Sequence, residues 1–399
     1  MKKIIALALG MIMTTSVITP CLASQQVAAE EKIAAMEERE LWHEVINSLD
    51  ESEYGGAYVK DGELHIKPKN NEQVQSILFD LSPDTRMSSN IILDKEAEYT
   101  LDELNEAMDK SESVWDELEL NYVALSEANN GLRVGAPEWS DDKKQIFIDT
   151  VGVDNIIFEL ADVTEEETTT EMKYNEARVT NDPIIGTPVS NINRVEDKIM
   201  TIGACVLGNN RFKGFITTAH SAKIGDKLVT IDTATNRKNV GKVIKSVLDG
   251  KSGLDVALIE QEDVPMYNEL PSGKRIMIGE RPVEGDDVII AGGNGGEKDA
   301  TITSINCKKA WDAPSYGDVQ TYYNLIMMDF VGGDRTIGGD SGAPILRDVD
   351  GKWYELVGIY KGSSNLRGIK DSDSDRDGLK YAYGSRWDLI ESHFNVRTY

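Results

Sequence analysis

The feature that most constrains this chain is a change of texture near residue 184. Beyond it, short runs of β-branched and aromatic residues recur, separated by Gly, Asn and Asp: Gly214–Thr218, Lys227–Asp232, Val240–Val247, Val256–Glu260, Asp287–Ala291, Ala300–Ile305, Tyr322–Phe330 and Leu356–Tyr360. Many short strands punctuated by turn residues predict an antiparallel barrel or sandwich. A helix over Arg386–Phe394 is expected to close the chain. Before the change, Ala29–Leu49 reads as an amphipathic helix. Tyr58–Ile66 reads as a hairpin about Asp61-Gly62, residues suited to positive φ. A second helix is expected over Leu101–Ala128, opened by Thr100 with Glu103 three residues on, and a strand over Gln145–Val151. That half is α+β.

Charge divides at the same place. The chain has 399 residues and a formal charge of −27. Residues 1–190 carry 39 acidic against 15 basic side chains, and the remainder carries 30 against 27. Two halves with such different electrostatics, in a chain of this length, predict two domains. Asp162–Glu176, acidic, Thr-rich and aperiodic, reads as an exposed linker. So strong a negative charge excludes a generic nucleic-acid binder, which needs a basic stripe. Three cysteines are too few for a disulfide-dense scaffold and are not spaced for zinc. No repeat is visible, and no apolar run reaches the roughly 18–20 residues that span a bilayer.

The first residues read as an address. Lys2 and Lys3 precede the apolar stretch Ile4–Met13 and a small-residue zone ending Cys21-Leu22-Ala23-Ser24. This predicts a signal peptide over 1–23 and a secreted product. A lipid anchor at Cys21 is the weaker reading, because Pro20 stands where such boxes want a small residue. Cys205 and Cys307 then remain, in an export route where a disulfide is allowed but not required.

Three motifs in the second half carry chemistry. Gly214-Phe215-Ile216-Thr217-Thr218-Ala219-His220 is a strand ending in a His. Asp255-Val256-Ala257-Leu258-Ile259 places an Asp at the mouth of a buried strand. Gly338-Gly339-Asp340-Ser341-Gly342-Ala343-Pro344 holds a Ser in a glycine-rich turn. A hydroxyl becomes a nucleophile when an imidazole takes its proton, and a buried carboxylate fixes the imidazole tautomer and steadies its cation. The glycines let the N–H groups of Gly339 and Ser341 converge on an oxyanion. Each motif alone is weak, since a lone His, a strand-leading Asp and a Gly-Asp-Ser-Gly turn all have ordinary structural uses. Together, in one order, they point to acyl transfer by Ser341, His220 and Asp255.

The same three motifs resemble those of chymotrypsin-fold serine proteases, nearest to the secreted bacterial branch of streptogrisins and α-lytic protease. Ile184-Ile185-Gly186-Thr187 resembles the start of the mature enzymes, and Tyr54-Gly55-Gly56-Ala57-Tyr58 resembles a segment of their pro-regions. The resemblance implies an all-β protease domain over 184–399, built of two six-stranded antiparallel barrels with the triad between them. It implies an α+β pro-region over 24–161 that inhibits the protease and helps it fold, and a processing site within 162–183. The reaction would be peptide-bond hydrolysis on protein or peptide substrates, without a cofactor, by a monomer that makes no stable membrane insertion.

There are departures from that pattern. Ser221 stands where the family usually has a Cys bridged to an upstream Cys, so Cys205 either pairs with Cys307 or both are free. By position Arg335, Thr336, Tyr360, Lys361 and Gly362 should line the substrate pocket. No Asp sits where a trypsin-like pocket would hold one. Arg335 and Lys361 could attract an acidic side chain, although the favoured reading has both pointing to solvent. Finally, Asp373, Asp375 and Asp377 precede Gly378 as in half a calcium loop. Position twelve is Gly384 rather than a bidentate Glu, so a solvated acidic loop is favoured over calcium. The rivals to a peptidase are a catalytically silent binding protein of the same fold and an esterase using the same triad.

Overall fold

The structure is a computed structural model that describes residues 37–81, 90–161, 164–165, 185–191, 199–209, 212–230, 238–265, 267–313, 318–332, 336–365 and 379–399. The leader, most of the acidic linker, Arg335 and the Asp373–Asp377 loop lie outside them.

The second half is made of two curled sheets. In one, six strands close on themselves. Asp287–Gly292, Pro344–Asp348, Trp353–Asn365, Leu379–Arg386, Asp318–Phe330 and Gly296–Ala313 pair in that order, and Gly296–Ala313 pairs back to Asp287–Gly292. This is the six-stranded barrel the family resemblance implied. Closure removes the free edges that an open sheet would expose. The other sheet, which comes first in the chain and is called the first barrel, has eight strands rather than six, three of them the short pieces Pro188–Asn191, Ile199–Thr201 and Val396–Thr398. Ile199–Thr201 lies at one edge and Ala204–Gly208 beside the other, yet only Ile202 and Gly203 separate them, so the sheet must curl round. Its interior is filled by Val206, Phe215, Ile216, Val240, Val256 and Ile259, and Trp387 and Ile390 of the closing helix Trp387–Phe394 complete that core.

The first half is α+β, with two corrections to the expected elements. The helix opened by Thr100 has both bonds of a capping box with Glu103 but ends at Lys110. A short 3₁₀ turn follows, and Tyr122–Ser126 is a fully buried strand. Gln145–Val151 is helix, part of Asp141–Val151, because Ser140 caps its start and Gly152 ends it at φ 73°. The Asp61-Gly62 hairpin forms as expected, with Lys60 facing Glu63.

The halves share structure. Tyr122–Ser126 pairs antiparallel with Gly296–Ala313, Cys307 opposite Ala124, so the second barrel's sheet runs on into the first half through Gly131–Ala136 and Ile156–Leu160. Tyr122, Ala124 and Ala161 pack in one core with Cys307, Trp311, Tyr322, Leu325, Tyr381 and Tyr383. Lys308, buried, donates to Asp109 at 2.7 Å and Glu112 at 2.9 Å. Glu284 reaches the other way: its carboxylate accepts from the backbone of Glu127 at 2.6 Å and of Ala128 at 3.3 Å.

Candidate active site

The strand Lys213–Thr217 ends in a small-residue turn that carries His220 inward, where it is buried. Its neighbour Leu254–Gln261 begins with the buried Asp255, whose N–H is held by Ser385 Oγ at 3.0 Å. Asp255 Oδ2 lies 2.7 Å from His220 Nδ1. Oδ1 accepts from Thr218 Oγ1 at 2.9 Å and from the backbone N–H groups of Ala219 at 2.8 Å and His220 at 2.9 Å. A carboxylate this well supplied with donors fixes the ring's proton on Nδ1 and leaves Nε2 as the base.

One donor was not expected. Lys361 Nζ gives a 2.6 Å bond to Asp255 Oδ2, from a side chain that is 2% exposed. Burial alone would push the Asp255 carboxyl up. The charges of His220 and Lys361, with the bonds they donate, outweigh it and hold the group well below the usual carboxylate range.

Ser341 sits in the turn before Pro344–Asp348. Its carbonyl accepts from Thr201 N at 2.8 Å, and its hydroxyl donates to the Lys361 carbonyl at 3.2 Å. Gly342 has φ 91°, and a Cβ there would lie 2.4 Å from Thr217 Oγ1 and 3.1 Å from Thr218 N. Only glycine lets the serine turn press so closely on the strand that delivers His220.

The turn's N–H groups divide in two. Asp340, Gly342 and Ala343 donate to Ile337, Tyr360 and Asp340 carbonyls at 3.0, 2.9 and 2.9 Å. Among the described residues the N–H groups of Gly339 and Ser341 have no partner. They are the pair expected to face an oxyanion. The turn is braced by Asp340, whose buried carboxylate accepts from Ile337 N at 2.9 Å, Asn294 N at 3.0 Å and Gly295 N at 2.7 Å. The glycine loop 292–295 wraps it so tightly that a Cβ on Gly292 would meet the carboxylate at 2.3 Å. Burial pushes Asp340 up to about 6 despite these bonds.

The expected pocket residues do not converge on an open cleft. Tyr360 points into the core of the second barrel, its hydroxyl 2.6 Å from Thr336 Oγ1. Gly362 packs against the Trp311 ring, which a Cβ would meet at 2.6 Å. Lys361 neither reaches solvent nor faces a substrate side chain. It is buried on Asp255, and the acidic-pocket reading is withdrawn for it. Alternation along the strand does not place it, because the pairing with Leu379–Arg386 shifts register between Tyr360 and Gly362. The Thr218 and Ser385 hydroxyls were missed because nothing local marks them. Cys205 and Cys307 are free thiols in separate cores, not a disulfide, and burial pushes both up to about 12. Among the described residues, no group of three His, Cys, Asp or Glu could hold a metal ion, and no helix is long and apolar enough to cross a membrane.

No family model matches the chain, and no curated protein is similar to it. Solved structures are. A protease of Nocardiopsis matches at 18% identity and TM-score 0.41, over 54% of this chain and 98% of its own. The chymotrypsin of Cellulomonas bogoriensis matches at 22% and 0.39, over 55% and 98%. Thermobifida fusca protease A matches at 19% and 0.38, over 54% and 97%. Each likeness runs over about half of this chain and nearly all of the solved structure.

Proposed function

We propose that the chain is a secreted serine endopeptidase made as a pre-pro-enzyme. Ser341 is the nucleophile, His220 the general acid and base, Asp255 the residue that orients it, and Gly339 and Ser341 the oxyanion donors. The observation that carries this is the 2.7 Å Asp255–His220 bond beside a serine turn whose two unpartnered N–H groups are those the chemistry needs.

Ser341 Oγ adds to the scissile carbonyl carbon as its proton passes to His220 Nε2. The carbonyl oxygen, now an anion, takes the N–H groups of Gly339 and Ser341. One such donor is worth roughly 3–4 kcal/mol of barrier. Collapse expels the amine, which receives the proton from His220 and leaves an acyl-serine. Water, deprotonated by the same imidazole, then releases the acid.

The first half acts as an inhibitory pro-region, cleaved within 162–183. Support comes from its shared sheet and core, and from Thr164–Glu165, which pairs in parallel with Trp311–Asp312 just after that half ends. The test is intact mass of the secreted chain, with fluorophosphonate labelling. Wild type should lose its first half and take the probe once that half is gone, while Ser341→Ala should stay full-length and unlabelled. Equal cleavage of both assigns processing to another protease. A processed wild type that resists the probe overturns the peptidase and leaves a binding protein.

A further inference from the structure

We propose that Lys361 is a positioning residue that tunes the proton affinity of His220 through Asp255; the proposal rests on the reading of the site as a Ser–His–Asp triad. The carboxylate oxygen that accepts from His220 Nδ1 at 2.7 Å also accepts from Lys361 Nζ at 2.6 Å. One oxygen therefore serves two cationic partners whenever the imidazole is protonated. The ammonium is sealed in place: its Nζ lies 4.0 Å from the Tyr322 ring centre and 4.8 Å from that of Trp311. A buried lysine is a costly filler, since methionine would occupy the same space without a charge to desolvate. Its cost is offset here by the carboxylate and the two ring faces.

The consequence follows from charge. An isolated buried carboxylate beside a histidine favours the imidazolium. A carboxylate already neutralised by an ammonium favours it much less. Lys361 thus lets Asp255 fix the ring's tautomer and orientation while offsetting part of the negative charge that faces the ring. The backbone of the same residue holds the resting Ser341 hydroxyl. Other ionisable groups on the strands packed here include Tyr322, Lys309, Tyr383 and Cys307. Burial pushes the last two upward, Cys307 to about 12, and Lys309 lies over the Tyr383 ring at 5.6 Å.

The experiment compares wild type, Lys361→Met and Lys361→Arg. Two midpoints are followed: the NMR titration of His220 in the full chain, assigned by its loss in His220→Gln, and the acid limb of fluorophosphonate labelling in the processed protein. Lys361→Met should move both midpoints upward by about one pH unit, the scale on which a neighbouring charge acts. Labelling near pH 6 should then fall about tenfold relative to the plateau, and Lys361→Arg should restore both. Unchanged midpoints in Lys361→Met, or the same shift in Lys361→Arg, overturn the proposal. Should Lys361→Met not fold, Trp311→Leu, which strips one face from the ammonium, must move the His220 midpoint in the same direction. Wild type that never labels defeats the peptidase reading alone, because the His220 titration still reports on Lys361.

Discussion

Asp340 shows at the scale of one residue how the serine turn is made. Three backbone N–H groups hold its carboxylate, and among the described residues no cation pairs with it. Its raised value near 6 fixes the sign of a pH effect. The folded chain binds this proton more tightly than the unfolded one, so the stability it contributes is present at low pH and lost as pH rises through about 6. Asp340→Asn turns an amide N–H₂ toward backbone donors and should cost about 1–3 kcal/mol. Its melting temperature should lie below that of wild type, and the gap should be wider at pH 5 than at pH 7.5, by about 2–4 °C per kcal/mol of linkage. A pH-independent gap would show that the proton is not there. Thr218 is the milder case. Thr218→Val removes one of the bonds to Asp255 Oδ1 and should lower the probe-labelling rate severalfold, with little change in fold.

At the scale of elements, the joint between the halves contains two buried carboxylates, Glu284 and Glu127. Burial, then the charge of Glu127, pushes Glu284 up to about 8. Glu127 is raised as well, by burial, against the 2.7 Å bond it accepts from Ala57 N. Separating the halves would return Glu284 to water and to its ordinary value. Docking therefore takes up a proton, is firmest at acid pH and weakens as pH rises through about 8. Thermal melts of the uncleaved Ser341→Ala chain should drop between pH 6 and 9, and adding Glu284→Gln should flatten that drop.

The elements the sequence revealed are those with local causes. The Asp-Gly hairpin, the Thr100–Glu103 box and the β texture beyond residue 184 all formed. The helix expected over Leu101–Ala128 overran because Tyr122–Ser126 is apolar without alternation, and it is a strand because it pairs with Gly131–Ala136 on one side and with Cys307–Lys309, nearly two hundred residues away, on the other. Gln145–Val151 misled through its β-branched residues, while the caps at Ser140 and Gly152 decided for helix. Of the site, the His, Asp and Ser were legible as motifs. The Lys361 bond was not, because it joins strands of different barrels.

For the whole molecule, the core shared by Tyr122, Ala124 and Ala161 with the second barrel decides what proteolysis of the linker can achieve. Residues 185–399 expressed alone would bare that patch and should give less soluble protein than the full chain. A chain nicked between residues 162 and 183 should still elute as one particle and part only in denaturant. Cutting a bond and opening a site then become separate events. On the pro-enzyme reading proposed above, the interval between them is set by how fast the first half is destroyed in place, so the linker cut starts a delay and does not end one.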